Sequence, residues 1–133
     1  FGYGPTESYI DKRQACYMGR FAADIRDMHE DYIRPQENSS HYGCRYLTVS
    51  GGDTEVKFTA DKEFSFNASQ FSQEELAAKA HNYELERCES NVICVDYAMA
   101  GVGSNSCGPR LAEKYQLEKP LINAHFHIQI SKI

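Results

Sequence analysis

The sequence predicts a mainly β, antiparallel domain of sandwich or barrel type with one short helix. Three observations support this: several short runs alternate apolar and polar residues, turn signals separate them, and one segment alone carries a clear helix start. In chain order, the Gly/Pro-rich residues 1–5 predict a turn, 11–15 a single helical turn, and 16–25 a strand of mixed polarity. Residues 27–31 are polar, and 32–35 read as extended because Pro35 disfavours helix in the residue before it. Leu47 and Val49 alternate with Tyr46, Thr48 and Ser50. After a turn at 51–53, Val56, Phe58 and Ala60 alternate with polar neighbours. A second turn at Asp61 and Lys62 leads to Phe64, Phe66 and Ala68, giving a predicted three-strand meander. Ser72 and Glu75 have the spacing of a capping box and predict a helix over 73–81. The apolar run 92–99 predicts a central strand buried on both faces, closed by the loop glycines Gly101, Gly103 and Gly108. Phe126, Ile128 and Ile130 alternate with His125, His127 and Gln129 in a last strand.

The bulk composition narrows the class. A chain of 133 residues fits one domain, and 41% hydrophobic residues suffice for a core. A formal net charge of −5 argues against a nucleic-acid or anionic-membrane partner, since both call for a basic surface. No apolar run nears the roughly 20 residues of a membrane span. The chain opens on Phe1 with no initiator Met and no visible signal peptide, so it reads as a piece of something longer. Five cysteines, an odd count without Cys-x-x-Cys spacing, read as reduced thiols used as small core residues, which suits a cytoplasmic setting. Asn38 and Asn67 stand in glycosylation triplets, which are common by chance.

Each candidate for chemistry has a structural alternative. His125 and His127 share a strand face and could ligate a metal, but no spacing supplies a third ligand, and a solvated or interdomain face is favoured. Glu7, Asp11, Glu30 and Glu37 could be drawn as the paired acids that glycoside hydrolysis needs, but 19 acids make some pairing inevitable. Residues 101–105 resemble a phosphate loop but lack a third glycine and a lysine, so a tight loop after a strand is favoured. Loops at sandwich ends carry binding residues, which singles out Asn105, Ser106 and Cys107. No base that would activate Cys107 as a nucleophile is evident.

Four stretches, in order, carry a family resemblance. They are GYGPTESYID (2–11); YIRPQEN (32–38) with Gly43, Cys44 and Arg45; FSFNAS (64–69) with SQEEL (72–76); and GVGSNSCGP (101–109). Together they resemble the C-terminal region of the large multi-domain β-galactosidases of glycoside hydrolase family two. The resemblance implies a fold similar to galactose mutarotase, an antiparallel β-supersandwich of which this chain would be the later portion. It implies catalytic glutamates in a separate (β/α)8 barrel, and therefore none here. It implies no cofactor in this portion, and magnesium and sodium for the whole enzyme at sites mostly outside it. The expected partners are the remaining domains, a β-galactoside and further copies in a homo-oligomer, with no nucleic acid and no membrane. The loop 101–109 resembles one that places a tryptophan at the mouth of the substrate pocket. This chain has no Trp, and alignment on Ser106 and Pro109 puts Cys107 there, in a loop one residue shorter. A cysteine has no aromatic face to stack on a sugar, so weaker or different binding of the leaving sugar is expected. Arg45 could anchor a carboxylate such as Glu37, a pairing suggested by their proximity in the sequence.

Three functions follow: a structural and substrate-mouth domain of a β-galactosidase, a stand-alone carbohydrate-binding module, and a mutarotase-like epimerase suggested by fold alone. Sheet edges completed by the missing half would leave this piece prone to edge association.

Overall fold

The computed structural model describes residues 1–103, 108–117 and 121–133. It is mainly β and antiparallel, consistent with a β-sandwich. Two short strands, β1 (Gly2–Gly4) and β2 (Tyr17–Gly19), form a ribbon. A second sheet holds β3 (His41–Gly51), β4 (Thr54–Ser69), β5 (Val92–Asp96) and β6 (Phe126–Lys132). Among the described residues one α-helix, α1 (Gln73–Ala78), follows β4, and three single-turn 3-10 helices lie at Ile25–Asp27, Asn82–Glu84 and Glu113–Tyr115.

The main departure from expectation is β4. The predicted turn at Asp61 and Lys62 does not form, and residues 54–69 run as one strand. The reason is parity. A two-residue turn there would set Phe58 opposite Ser65 and Val56 opposite Asn67, mixing an apolar face with a polar one. The apolar set instead keeps even numbering from Val56 to Ala68, which suits one unbroken strand. The turn at Gly52 and Asp53 passes the same test. Its register sets Val49 opposite Val56 and Leu47 opposite Phe58, apolar against apolar.

As one strand, β4 reaches three partners. Its first half pairs with β6, its second half with β5, and β3 runs along its other side through two register shifts. The core gathers around the second half. Phe64 and Cys44 are fully buried and opposite each other, with Ala68, Leu76 and Tyr9 nearby in burial. Phe126 meets the Phe64 ring edge-on at 5.9 Å.

Other expectations need correction. Residues 1–5 hold a strand rather than a turn alone, because β1 lies along β3, with the Phe1 carbonyl accepting from Arg45 N–H. The 11–15 segment forms no helical turn; a bridge between Tyr9 and Lys12 folds it back instead. Only three residues of 16–25 are strand, and 32–35 bends. The helix stops at Ala78 because Lys79 is extended and the Glu84 carboxylate takes the N–H groups of Ala80 and His81. Its start is as expected, with Ser72 Oγ accepting from Glu75 N at 3.1 Å. The strand at 92–96 is half-buried and pairs only with β4, so among the described residues it is an edge rather than a centre.

One face of the sheet is open and apolar. Leu47, Phe58 and Ile128 line up across three strands, as do Val49, Val56 and Ile130. Ile128 is 62% and Ile130 72% exposed.

Phe64→Ala removes the largest fully buried side chain and should cost about 3–5 kcal/mol. The urea midpoint of the intact polypeptide measures the loss, and hydrogen exchange of the β4 amides should locate it there.

Candidate functional site

The motif at 2–11 builds a rigid corner around a buried carboxylate. Glu7 is 9% exposed. It accepts hydrogen bonds from Lys12 Nζ and Tyr32 Oη, and its Oε2 takes the Ser39 N–H at 2.9 Å. Burial by itself would raise the Glu7 pKa, but those donors, Lys12 first, outweigh it and hold the carboxyl below its usual range. The bond to Glu7 correspondingly raises Lys12. Burial, reinforced by the Glu7 bond, raises Tyr32. Ser39 presents its N–H from a left-handed backbone, φ 57°, and Asn38 beside it accepts the Glu30 N–H. Neighbouring Ser8 is fully buried, pairing with Ser40 O through its N–H and receiving Tyr42 N–H on Oγ.

This corner presents Asp11. Tyr9 and Lys12 exchange both backbone hydrogen bonds, at 2.9 and 3.1 Å, leaving Ile10 and Asp11 at the tip. The Asp11 carboxylate then accepts two successive N–H groups, Val102 at 3.0 Å and Gly103 at 2.8 Å. Gly101 is tied on the other side, its N–H donating to Tyr115 O at 2.9 Å. Both glycines of the Gly-Val-Gly run are required. A Cβ on Gly101 would lie 2.5 Å from Asp11 Cγ, and Gly103 has φ +60°. Residues 101–103 therefore do cradle an anion, and that anion is the chain's own Asp11.

The other sequence candidates fall out differently. Asn105, Ser106 and Cys107 lie outside the described residues. Of the four acids, Glu7 and Asp11 are engaged as above. Glu30 is exposed, and Glu37 accepts from Asn67 Nδ2 at 2.7 Å. The expected Arg45–Glu37 contact does not form, because Arg45 points to Glu63 across the strands, at 3.2 Å. The group missing beside His125 and His127 is Asp61, 2.9 Å from His125 Nδ1 and 3.9 Å from His127 Nε2. All three side chains are at least half exposed, and among the described residues no His, Cys, Asp or Glu group is arranged to hold a metal.

Burial pushes the Cys44 thiol up to about 11, the opposite of what a nucleophile needs. Of the described cysteines Cys44 alone is a core residue; Cys16, Cys88 and Cys94 are half-buried rather than in the core as expected, and all four are free. Asn38 and Asn67 are buried at 7% and 3% exposure, so neither can receive a glycan. Burial also lowers the pKa of His41, whose ring stacks on Phe66 at 5.1 Å. Sequence reasoning missed Asp11 as a loop anchor; the only available signal was the pair of glycines it requires.

Together these elements define an antiparallel β domain with a carboxylate-pinned loop. The family model described as "Beta galactosidase small chain" matches residues 1–130. The chain is 43% identical over 132 residues to a β-galactosidase of Actinobacillus pleuropneumoniae, covering 99% of this chain and 13% of that protein. It is 39% identical to one of Staphylococcus xylosus, over 97% of this chain and 13% of that protein. A Kluyveromyces lactis β-galactosidase is 31% identical, over 96% of this chain and 12% of that protein. The chain belongs to the β-galactosidase small-chain family, and it spans about 13% of the length of these first two relatives.

Because the folded pKa of Glu7 lies below its unfolded value, its stabilisation is present above the ordinary carboxylate range and is lost as pH falls through the folded pKa. Glu7→Gln should cost about 1–3 kcal/mol at neutral pH, toward the lower end because Lys12 is half exposed. Urea midpoints should show that cost shrinking in acid.

Proposed function

We propose that residues 1–133 are the later portion of the C-terminal β-sandwich domain of a β-galactosidase. The whole enzyme hydrolyses terminal β-galactosides of the lactose type by a retaining double displacement, and its two catalytic glutamates lie on another part of the polypeptide. The observation that carries this reading is the end-to-end match to β-galactosidases of which the chain is only about 13%. The partners in this reading are the remaining domains, a β-galactoside and further copies of the enzyme. The setting is the cytoplasm.

Two features of the fold support a framing role. The open face carrying Ile128 and Ile130 is too apolar to remain in water and suits burial under another layer, as in a mutarotase-like supersandwich. The unpaired edges of β5 and β6 among the described residues suit continuation by strands from elsewhere. Two of the candidate acids are committed to holding structure: Glu7 to Lys12, Tyr32 and Ser39, and Asp11 to the loop.

In this reading the loop that continues past Gly103 reaches the mouth of the substrate pocket. It meets the leaving sugar with Asn105, Ser106 and Cys107, and Cys107 stands where relatives of this type place tryptophan. A thiol covers less of a sugar than an indole does and offers no π face.

Two measurements test the proposal. The full-length polypeptide should turn over an aryl β-galactoside and this chain alone should not; turnover by the purified chain would refute it. Cys107→Trp in the full-length enzyme should lower KM for a β-galactosyl disaccharide by about three- to ten-fold, since an added stacking platform contributes about 1 kcal/mol. Unchanged substrate and inhibitor constants would remove the loop from the pocket.

A further inference from the structure

We propose that Asp11 is a positioning residue for substrate binding: its carboxylate sets where the chain enters the pocket-mouth loop. The inference rests on the β-galactosidase reading above and adds to it the group that aims the loop. Residues 104–107 follow directly on Gly103 in sequence. The geometry at their root is over-determined. Asp11 receives the N–H groups of Val102 and Gly103 on separate oxygens, Oδ1 at 3.0 Å and Oδ2 at 2.8 Å. Two bonds from one planar carboxylate fix direction as well as position, which a single bond would not. The Gly101 N–H is held to Tyr115 O at 2.9 Å, so the root is gripped on both sides. The packing is close, since even a methyl group on Gly101 would strike the carboxylate.

Asp11 is itself held firmly. The backbone pair of Tyr9 and Lys12 closes the turn behind it, Tyr9 is 5% exposed, and Lys12 is bound to Glu7. A chain of contacts therefore runs from the buried Glu7 through Lys12 to the Asp11 turn and on to the loop root. Its last link joins residues distant in sequence: Asp11 and Gly103 are 92 residues apart. Small displacements at a loop root grow along the loop, and misplacing a binding group by about 1 Å can cost up to a hundred-fold in rate.

The test uses the full-length enzyme and three variants, assayed on a β-galactosyl disaccharide and an aryl β-galactoside. Asp11→Ala should raise KM for the disaccharide about five- to fifty-fold, with kcat changed by less than about three-fold and Tm within about 2 °C. Hydrogen exchange at the Val102 and Gly103 amides should accelerate, a readout independent of activity. Gly101→Ala should reproduce both effects, because its Cβ displaces the carboxylate. The double variant should be no worse than Asp11→Ala, because the space is already vacated. Should Asp11→Ala not fold, Asp11→Asn keeps the shape but places an N–H donor against one of the two amides, and it should shift KM and exchange in the same direction.

Faster exchange with unchanged KM would overturn the positioning role while leaving the β-galactosidase reading intact. Parallel loss of kcat and Tm would reduce Asp11 to a general stabilising residue and also overturn it. A wild-type enzyme that turns over no β-galactoside would refute the reading itself, and the role with it.

Discussion

The fold depends on one unbroken strand. Residues 54–69 supply the pairing edges for β3, β5 and β6, so every ladder of the main sheet uses β4. A break at Asp61 and Lys62 would separate the half carrying β6 from the half carrying β5. It would also uncouple Phe64, at the centre of the core, from the hairpin that aligns Leu47 and Val49 with Phe58 and Val56. Backbone hydrogen bonds give each ladder its geometry, but the unbroken parity of apolar residues keeps the strand in register.

A second layer of organisation is ionic and lies on the first forty residues. A carboxylate as buried as Glu7 is costly unless it is well supplied with donors. Lys12, Tyr32 and Ser39 supply them from three separate segments and tie those segments together. The same corner presents Asp11 to the Gly101–Gly103 backbone, so one buried charge stabilises the presentation of another.

The incomplete burial of the chain fits its size relative to its family. The sheet leaves Ile128 and Ile130 in the open and carries a half-buried strand at its edge. The predominantly apolar run 92–99 makes sense on the same terms. It has the composition of a covered strand, yet among the described residues it is only half-buried. The expectation of a central strand went wrong because composition reports how much burial a segment is built for, not which neighbour supplies it.

What the sequence determined by itself is what depends on neighbours a few residues away. The alternation in β3, β4 and β6, the Gly52–Asp53 hairpin with its apolar register, and the Ser72 cap were all legible there. The continuity of β4 was legible too, had parity been weighed above the polar pair at Asp61 and Lys62. The tertiary structure alone decided which carboxylate meets which donor. Glu7 finds Ser39 across 32 residues, and Asp11 finds Val102 across 91. Such pairs leave no periodic trace, because the path of the chain brings them together, and many of the 19 acids could have filled either place. Only the glycines at 101 and 103 marked the spot, and what they make room for became visible once Asp11 stood beside them.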